Sequence, residues 1–489
     1  MQWLYSSRFA EIAVSATTWI VVTIPLWLAP FHPAVVAYGI IAFNLYFLTM
    51  AGRNAIRATV AYLKIKQAEN MDFQALVSKT PARSQHIHHF VIIPCYKESV
   101  EKINETIDCI LKSDYPWRNN LHVVLGFESR EENAPIKEKE IANKFADQID
   151  IITSYHTLQD NEVPGKASNQ TSAVKDIVER IINPQGYAQT DVVLTICDAD
   201  SKLPPNYFSY LTYTYLSDTE RNFHFYWAPV LLYNNFWQLP FFIRMQASLS
   251  SVLRLAHLED KENLIQISTY SVGLKLMHDV GYWDVDIVPE DWHVHLQAFF
   301  KHGTRVRTIP LYTIINGDAV YAGSMAKTFL GRYEQEKRWA WGVSDIAYAW
   351  PRIWNTPHIP LIPKLKKVAY LSVSHLLWPT SFFILTIFAT VTPIVNPIFK
   401  RTVLGFILPQ ISGLILTMGS SLLIVYTIID ILVRNKLDIK TKPQNIALLA
   451  LQWYVLPIVS FFLSALPALE AHTRLLLDKK LVYKVTEKK

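Results

Sequence analysis

Long stretches without charged residues at both ends of the chain constrain the fold more than any other feature. Residues 12–52 contain no Asp, Glu, Lys or Arg, and a membrane-spanning helix needs about 20 apolar residues. The turn-forming sequence APFHP divides this stretch at residues 29–33. Residues 1–52 are therefore predicted to form a hairpin of two transmembrane helices.

Three further uncharged stretches lie late in the chain, at residues 368–399, 402–429 and 443–469. Each is long enough for one tilted span, so residues 368–470 are predicted to be C-terminal transmembrane helices. The charge-rich sequence between the two hydrophobic regions predicts a soluble domain at residues 53–350. Residues 351–367, which are rich in proline, aromatic and basic residues, are predicted to be an interfacial linker.

Basic residues give the predicted sidedness, because Lys and Arg near spans favour the cytoplasmic face. They flank the soluble domain at both junctions, as Arg53, Arg57, Lys64 and Lys66 before it and Lys364, Lys366 and Lys367 after it. The domain is therefore predicted to be cytoplasmic and the helices to lie in the plasma membrane. The basic tail, residues 471–489, predicts a cytoplasmic C-terminus too. Three single spans would leave it outside, so either one late stretch is re-entrant or interfacial, or one holds two short spans.

The formal net charge of +6 suits membrane lipids with anionic head groups or a phosphate-bearing ligand. It is too small to indicate binding of nucleic acid. The charge carries no information on the oligomeric state.

Strand-like and helix-like patterns alternate in the soluble domain. Short apolar runs at residues 88–96, 121–128, 149–155 and 191–200 are separated by helix-permissive segments. This alternation predicts an α/β domain with a mostly parallel sheet that binds its ligands at the carboxyl ends of the strands.

Two carboxylates follow the fourth predicted strand, Asp198 and Asp200 in the sequence CDADS. Acids at positions i and i+2 on a loop can turn toward one divalent cation, which prefers oxygen ligands and shares them with substrate phosphates. The same acids can instead be solvated residues of an ordinary turn.

Two other short motifs have both a chemical and a structural interpretation. Lys166 in VPGKASN lies at a helix start, where it can contact phosphate or belong to a surface turn. Glu290 and Asp291 in PEDW precede an apolar helix, and acids at that position are more often N-terminal caps than catalytic groups.

The sequence YEQEKRWAWG is the least ordinary of the motifs. Gln335, Arg338 and Trp339 lie on adjacent faces of one predicted helix. Arginine suits a diphosphate and an indole offers a flat wall to a sugar ring. The three side chains therefore indicate a binding site for a nucleotide-sugar or an acceptor sugar.

In this order, the motifs IIPCYKES, VPGKASN, CDADS, PEDW and QEKRW resemble those of membrane-integrated family 2 glycosyltransferases, similar to processive polysaccharide synthases of the cellulose and hyaluronan type. The resemblance covers most of residues 91–342. It implies a Rossmann-like GT-A domain combined with an α-helical transmembrane region, and a nucleotide-diphosphate-sugar donor, with a UDP-sugar as the expected one.

The resemblance also implies roles for single residues. Asp200, helped by Asp198, would hold Mg²⁺ or Mn²⁺ against the diphosphate, with Lys166 near the phosphates. Asp291 would be the catalytic base, with Glu290 beside it. The remaining predicted substrate-binding residues are Glu98 and Glu128 near the nucleotide, and Gln335, Arg338 and Trp339 over the diphosphate and acceptor.

Two departures from the family pattern bear on specificity. Glu128 stands where many relatives have an aspartate, and the segment ISTYSVGLKL at residues 267–276 lacks the glycine-containing start common there. The run HIHH at residues 86–89, and His293 with His295, have spacings like those of metal ligands. Without a cysteine partner we expect them to be packing or surface residues.

The predicted activity is inverting, metal-dependent transfer of a sugar to a growing polysaccharide, coupled to translocation of the product through the membrane helices. One alternative is transfer of a single sugar to a lipid-linked acceptor such as a polyprenyl phosphate. Another is a membrane transporter or scaffold that binds nucleotide-sugars without catalysis.

Overall fold

The structure is a computed structural model that describes residues 2–439 and 443–481. Part of the predicted basic tail, residues 482–489, lies outside the described residues. The strands are β1 (His88–Cys95), β2 (Leu121–Glu128), β3 (Asp150–His156), β4 (Val192–Ile196), β5 (His224–Trp227), β6 (Val230–Leu231), β7 (Tyr270–Gly273), β8 (Arg307–Pro310) and β9 (Ile315–Asn316).

The α-helices before residue 303 are α1 (Ser7–Trp27), α2 (Pro33–Ala68), α3 (Phe73–Ser78), α4 (Pro81–Ser84), α5 (Val100–Leu111), α6 (Ala134–Phe145), α7 (Lys166–Ile177), α8 (Tyr207–Ser217), α9 (Phe241–Leu258), α10 (Leu274–Val280) and α11 (Glu290–His302). Those after it are α12 (Met325–Ala340), α13 (Ser344–Asn355), α14 (Leu361–Phe382), α15 (Phe388–Val395), α16 (Pro397–Lys400), α17 (Val403–Ser421), α18 (Leu423–Lys436), α19 (Pro443–Leu451), α20 (Leu456–Ser460) and α21 (Leu466–Leu476).

The chain divides into two compact units. The sheet unit comprises Ala61–Asn234 and Leu258–Asp318, and the helical unit comprises Met1–Val60, Asn235–His257 and Ala319–Lys489.

The sheet unit is built on seven strands in the order β3-β2-β1-β4-β7-β5-β8. Strands β1 to β4 are mutually parallel, and β7 alone runs antiparallel to its neighbours β4 and β5. The four apolar runs identified in the sequence are β1 to β4, so the predicted α/β fold is confirmed. Parallel β-α-β connections place the carboxyl ends of these strands along one edge, where the motif residues follow.

Burial on both faces explains the near-continuous apolar sequence of these strands. All eight residues of β2 are buried, and so are all five of β4. Helix α5 begins after Ser99, whose hydroxyl accepts a hydrogen bond from the Lys102 N–H, a favourable N-cap. Its buried side chains, Ile103, Ile107 and Ile110, recur at helical spacing and join the core beneath the sheet.

The helical unit contains the hydrophobic ends of the chain. Among the described residues, five helical stretches are long and apolar enough to cross a membrane: Ser7–Trp27, Pro33–Ala68, Leu361–Val395, Val403–Lys436 and Asn445–Leu476. The two N-terminal and three C-terminal stretches predicted from charge are thus helical. The last one is interrupted by a 3₁₀ turn at Gln452–Val455 and a π-helical turn at Phe461–Ala465.

Side-chain contacts show which ends of these helices lie together. Asn396, before α16, donates hydrogen bonds to the carbonyls of Ala29 and Pro30 in the turn between α1 and α2, at 3.3 and 3.1 Å. At the start of α1, Arg8 donates to the carbonyls of Leu475 and Leu476 at the end of α21, at 2.8 and 2.7 Å. The chain therefore leaves the last helix beside the residues that begin the first.

Candidate active site

The predicted site residues of the sheet unit gather at the carboxyl edge of the parallel strands. Asp198 and Asp200 follow β4, the strand next to β1 at the centre of the sheet. The Asp198 N–H donates to the hydroxyl of Thr269 at 3.2 Å. This contact joins the acidic loop to the segment that precedes β7.

Lys166 lies at the first position of α7 and reaches into the acidic loop. Its Nζ is 2.7 Å from Asp198 Oδ1 and 3.5 Å from Glu290 Oε1. Burial would lower the pKa of this ammonium, but Asp198, Asp291 and Glu290 together raise the pKa well above its ordinary value. Lys166 is therefore a fixed cation shared by both acidic motifs.

Ser268 contacts Asp198, Asp291 and Lys166 through three different atoms. Its hydroxyl hydrogen-bonds Asp198, its N–H donates to Asp291 Oδ2 at 2.7 Å, and its carbonyl accepts from Lys166 Nζ at 2.9 Å. Its φ of 67° lies in the left-handed region that favours glycine. A serine at this position gives the segment a hydroxyl for Asp198 that glycine would lack.

The two oxygens of the Asp291 carboxyl have different surroundings. Its Oδ2 accepts the bond from Ser268, whereas its buried Oδ1 has no hydrogen-bond partner among the described residues. Burial, and then the neighbouring Glu290, raise the pKa of Asp291 well above its ordinary value, against the opposing effect of Lys166. Asp291 lies in the first turn of α11, whose N-cap residue is Pro289, and the bond its carboxyl accepts comes from Ser268 on another segment.

Asp200 is held on the far side of the acidic loop. Its Oδ2 accepts a hydrogen bond from the N–H of Asp318 at 3.0 Å. The Asp318 carboxylate pairs with Lys102 Nζ at 2.7 Å. Burial would lower the pKa of Lys102, but Asp318 and, more weakly, Glu105 and Asp200 raise it.

Glu128 ends β2 and is almost entirely buried, with 2% of its surface exposed. Its Oε1 accepts from His156 Nδ1 and Asn169 Nδ2, both at 3.1 Å, and Arg130 Nε donates to its Oε2 at 3.1 Å. Burial would raise the pKa of Glu128, but the bonds from His156 and Asn169 outweigh it and the pKa is lowered.

His156 links this carboxylate to a second one. Its Nε2 lies 2.8 Å from Glu162 Oε2. Burial would lower the pKa of the imidazole, but Glu128 and Glu162 raise it.

Glu98 lies in the loop after β1, half-buried. Its carboxylate accepts from the N–H of Tyr96 and its carbonyl accepts from Lys137 Nζ, both at 2.5 Å. The glutamate thus fixes the turn that leaves the first strand, at the edge where ligands of such sheets bind.

Gln335, Arg338 and Trp339 belong to the helical unit, on α12. Gln335 is buried and accepts a hydrogen bond from Arg332, whose guanidinium lies 4.7 Å from the ring centroid of Trp339. Arg332 also pairs with Glu336 and donates to Gln246 Oε1 at 2.9 Å. Gln335 and Trp339 are therefore joined through Arg332, and Arg338 is half-buried one residue before the ring.

The described residues contain no group of three or more His, Cys, Asp or Glu placed to hold a metal ion. The two acids Asp198 and Asp200 fit an ion that takes its other ligands from a substrate diphosphate, as magnesium commonly does. Of the histidines expected to be packing or surface residues, His89, His293 and His295 are buried, His88 is half-buried and His86 is exposed. His89 bonds Thr212 and His293 bonds Asp284.

Sequence reasoning missed four residues that organise the site: Ser268, Asp318, Lys102 and Arg332. Ser268 and Asp318 act largely through backbone groups, which no side-chain pattern reveals. Arg332 lies three residues before Gln335 and seven before Trp339 on α12. Helical spacing puts all three residues on one face, and this was the sequence signal that could have identified Arg332.

Residues 193–429 match the family model described as glycosyl transferase family group 2. No curated protein is significantly similar in sequence. Among solved structures, the mannosyltransferase PcManGT from Pyrobaculum calidifontis, in complex with GDP-Man and Mn²⁺, is 14% identical with a TM-score of 0.46, over 90% of this chain and 100% of that one.

TarS residues 1–349 from S. aureus, in complex with UDP-GlcNAc, is 14% identical with a TM-score of 0.37, over 68% of this chain and 91% of that one. GalNAc-T7 with UDP, GalNAc and Mn²⁺ is 13% identical with a TM-score of 0.34, over 60% of this chain and 59% of that one. These likenesses are too weak to bear on the ligands of this chain. The family match and the mostly parallel GT-A sheet show that the chain contains a family 2 glycosyltransferase domain and is a glycosyltransferase.

Proposed function

We propose that this chain is an inverting, metal-dependent glycosyltransferase that moves a sugar from a nucleotide-diphosphate donor, with a UDP-sugar as the expected one, to a growing polysaccharide. The observation that carries the proposal is the half-buried Asp291 carboxyl. One of its oxygens is held by the Ser268 N–H, and the other has no partner among the described residues.

Asp291 has the properties required of a general base. Inversion in a single step needs a group that takes the proton of the acceptor hydroxyl as this oxygen attacks the anomeric carbon. A carboxylate with a raised pKa is a stronger base than an exposed aspartate, and Oδ1 offers the lone pair for the hydroxyl. Glu290 and Lys166 set the charge around it.

The leaving group is a nucleoside diphosphate, whose developing charge needs cations. Lys166 supplies one, beside Asp198. Mg²⁺ or Mn²⁺, held by Asp200 and Asp198, would neutralise the diphosphate as its bond to the sugar breaks. Ser268 keeps Asp198 and Asp291 in register, since it bonds both carboxylates.

The polysaccharide acceptor is the part of the proposal that draws on the helical unit. Arg332 hydrogen-bonds Gln335 and lies over the ring of Trp339, which suits a motif that holds sugar and diphosphate rather than one that only fills a core. Five apolar helices in the same unit would provide the route by which the product crosses the plasma membrane. Glu98 and Glu128 are proposed to lie near the nucleotide.

The proposed topology places the catalytic domain, residues 53–350, in the cytoplasm. Both junctions of the domain with the helices are basic. Arg8 at the start of α1 bonds the end of α21, which favours a cytoplasmic C-terminus for a chain whose N-terminus is cytoplasmic. The breaks at Gln452–Val455 and Phe461–Ala465 favour a last stretch that turns back instead of crossing once.

The test is the stereochemistry and size of the product. Purified protein is incubated with a nucleotide-sugar panel, Mg²⁺ or Mn²⁺ and glycan acceptors, and the anomeric configuration of the new linkage is read by NMR before mass analysis. Inverted linkages in a ladder of products support the proposal. Retained configuration would exclude Asp291 as the base of a single displacement, and products one sugar longer than the acceptor would exclude chain extension.

A further inference from the structure

A cluster of two arginines and two aromatic rings lies in the helical unit, outside the site described above. The rings are those of Phe236 and Trp237, in a short 3₁₀ turn before α9. The guanidinium of Arg244, on α9, lies 6.0 Å from the Phe236 centroid and 5.3 Å from that of Trp237. The guanidinium of Arg434, on α18, lies 4.4 and 5.5 Å from the same centroids.

Arg434 is neutralised within the protein. It is fully buried, and its Nε and Nη2 donate to Asp430 Oδ2 at 3.0 and 2.8 Å. Breaking such a buried pair is costly, because one charge would be left alone in a medium of low polarity. The ion pair with Asp430 therefore holds Arg434 in a fixed position beneath the rings of the cluster.

Arg244 lacks such a partner. Among the described residues no carboxylate lies within ion-pair distance of its guanidinium, its buried Nε has no hydrogen-bond partner, and its Nη2 reaches only the carbonyl of Leu239, at 3.3 Å. Burial and the nearby Arg434 lower the pKa of Arg244. A half-buried cation beside a second cation leaves charge and donors that an anion would satisfy.

The position of the cluster identifies the kind of anion. Arg434 lies in the last turn of the candidate span Val403–Lys436, so the cluster is at a membrane boundary, where lipid head groups are found. Arginine binds phosphate with its planar fork while it stacks on aromatic rings.

We propose that Arg244, on the platform formed by Phe236, Trp237 and Arg434, binds the phosphate of a membrane lipid. The phosphate oxygens accept hydrogen bonds from the guanidinium of Arg244, and the acyl chains remain among the apolar helices. Lipid binding requires no sugar transfer, so this proposal can be tested independently of the proposed activity.

The experiment is a titration of the full-length protein in detergent micelles with phosphatidic acid, which carries a phosphate monoester, followed by native mass spectrometry. Phosphatidylcholine is titrated in parallel as the zwitterionic control. Three variants are compared with the parent: Arg244→Gln, Arg244→Lys and Arg401→Gln. Arg401 is exposed and directly follows α16, whose N-cap Asn396 contacts the turn between α1 and α2. Arg401→Gln therefore removes an arginine away from the cluster and controls for unspecific attraction of anionic lipid.

We expect Arg244→Gln to weaken phosphatidic acid binding about tenfold, the usual effect of losing a charge-assisted hydrogen bond. Arg244→Lys keeps the charge but loses the fork, and we expect a several-fold loss; it decides the matter should Arg244→Gln fold poorly. The Arg244 variants should bind phosphatidylcholine as the parent does, and Arg401→Gln should bind phosphatidic acid with the parental affinity. Parental phosphatidic acid affinity in both Arg244 variants would overturn the proposal. So would Arg244-dependent binding of inorganic pyrophosphate with no such dependence for the lipid, because the phosphate would then be a soluble one.

Discussion

Replacing Asp291 by Asn separates a catalytic carboxyl from a structural one. The amide oxygen can still accept the hydrogen bond that the Ser268 N–H gives to Asp291 at 2.7 Å, and Asp291 is not the N-cap residue of α11. The local fold should therefore survive. Only the capacity to take a proton is lost.

The expected loss of rate follows from that capacity. General-base assistance contributes about 10²- to 10⁴-fold, which corresponds to roughly 3–5 kcal/mol in the barrier. Donor binding should change little, because the groups proposed to contact the diphosphate, Lys166, Asp198 and Asp200, lie on other segments.

Stability supplies an independent readout of the same substitution. Since the pKa of Asp291 is raised on folding, the folded protein keeps a proton that the unfolded chain has lost at pH values between its ordinary and its raised pKa. The contribution of this group to the free energy of unfolding therefore falls as the pH rises through that window. Asp291→Asn lacks this pH-dependent contribution. The difference between the melting temperature of the variant and that of the parent should therefore increase as the pH rises.

The assay is nucleoside diphosphate release at saturating acceptor, with donor affinity by calorimetry and melting curves across pH, on the parent, Asp291→Asn and Glu290→Gln. We expect Asp291→Asn to bind donor and metal normally and to turn over at a small fraction of the parental rate. Near-parental turnover in Asp291→Asn would refute the assignment, and a large loss in Glu290→Gln would then indicate Glu290 as the base.

Three other outcomes are expected. Asp200→Asn should abolish transfer and weaken metal-dependent donor binding while the melting temperature stays within a few degrees, and full activity in a chelator would contradict this. His156→Gln should raise the KM for the donor more than it changes kcat, because His156 bridges Glu128 and Glu162 at 3.1 and 2.8 Å. In the parent, the KM should rise as the pH passes the raised pKa of His156. If the variant kept the parental KM and its dependence on pH, the bridge would not determine donor binding. A reporter fused to the C-terminus should be active in the cytoplasm, and activity only outside the cell would contradict the topology.

The sheet could be predicted because its signal is local. Strands β1, β2 and β4 are short, mainly apolar runs that end where a polar motif begins, and burial on both faces of a parallel sheet demands such runs. The edge strand β3 is more polar and only partly buried. The details of the helices are less visible: α7 begins at Lys166, as the sequence predicts, but it continues into a π-helical turn at Val178–Ile182, a change that no periodicity indicates.

The candidate site could be predicted only in part, because side-chain motifs do not report backbone contacts. The sequence led to Asp198, Lys166 and Asp291 but not to Ser268, which joins them through its hydroxyl, N–H and carbonyl. The absence of glycine at the start of ISTYSVGLKL was visible in the sequence. Its meaning became clear only from the left-handed φ of Ser268, which requires coordinates.

The most direct test of the proposed activity is metal-dependent release of nucleoside diphosphate by the purified full-length protein from a panel of nucleotide-sugars. We expect at least one donor, a UDP-sugar first of all, to give release that needs Mg²⁺ or Mn²⁺, depends on acceptor, and disappears in Asp200→Asn. Release that is equal in the parent and in Asp200→Asn, or unchanged by a chelator, would contradict it.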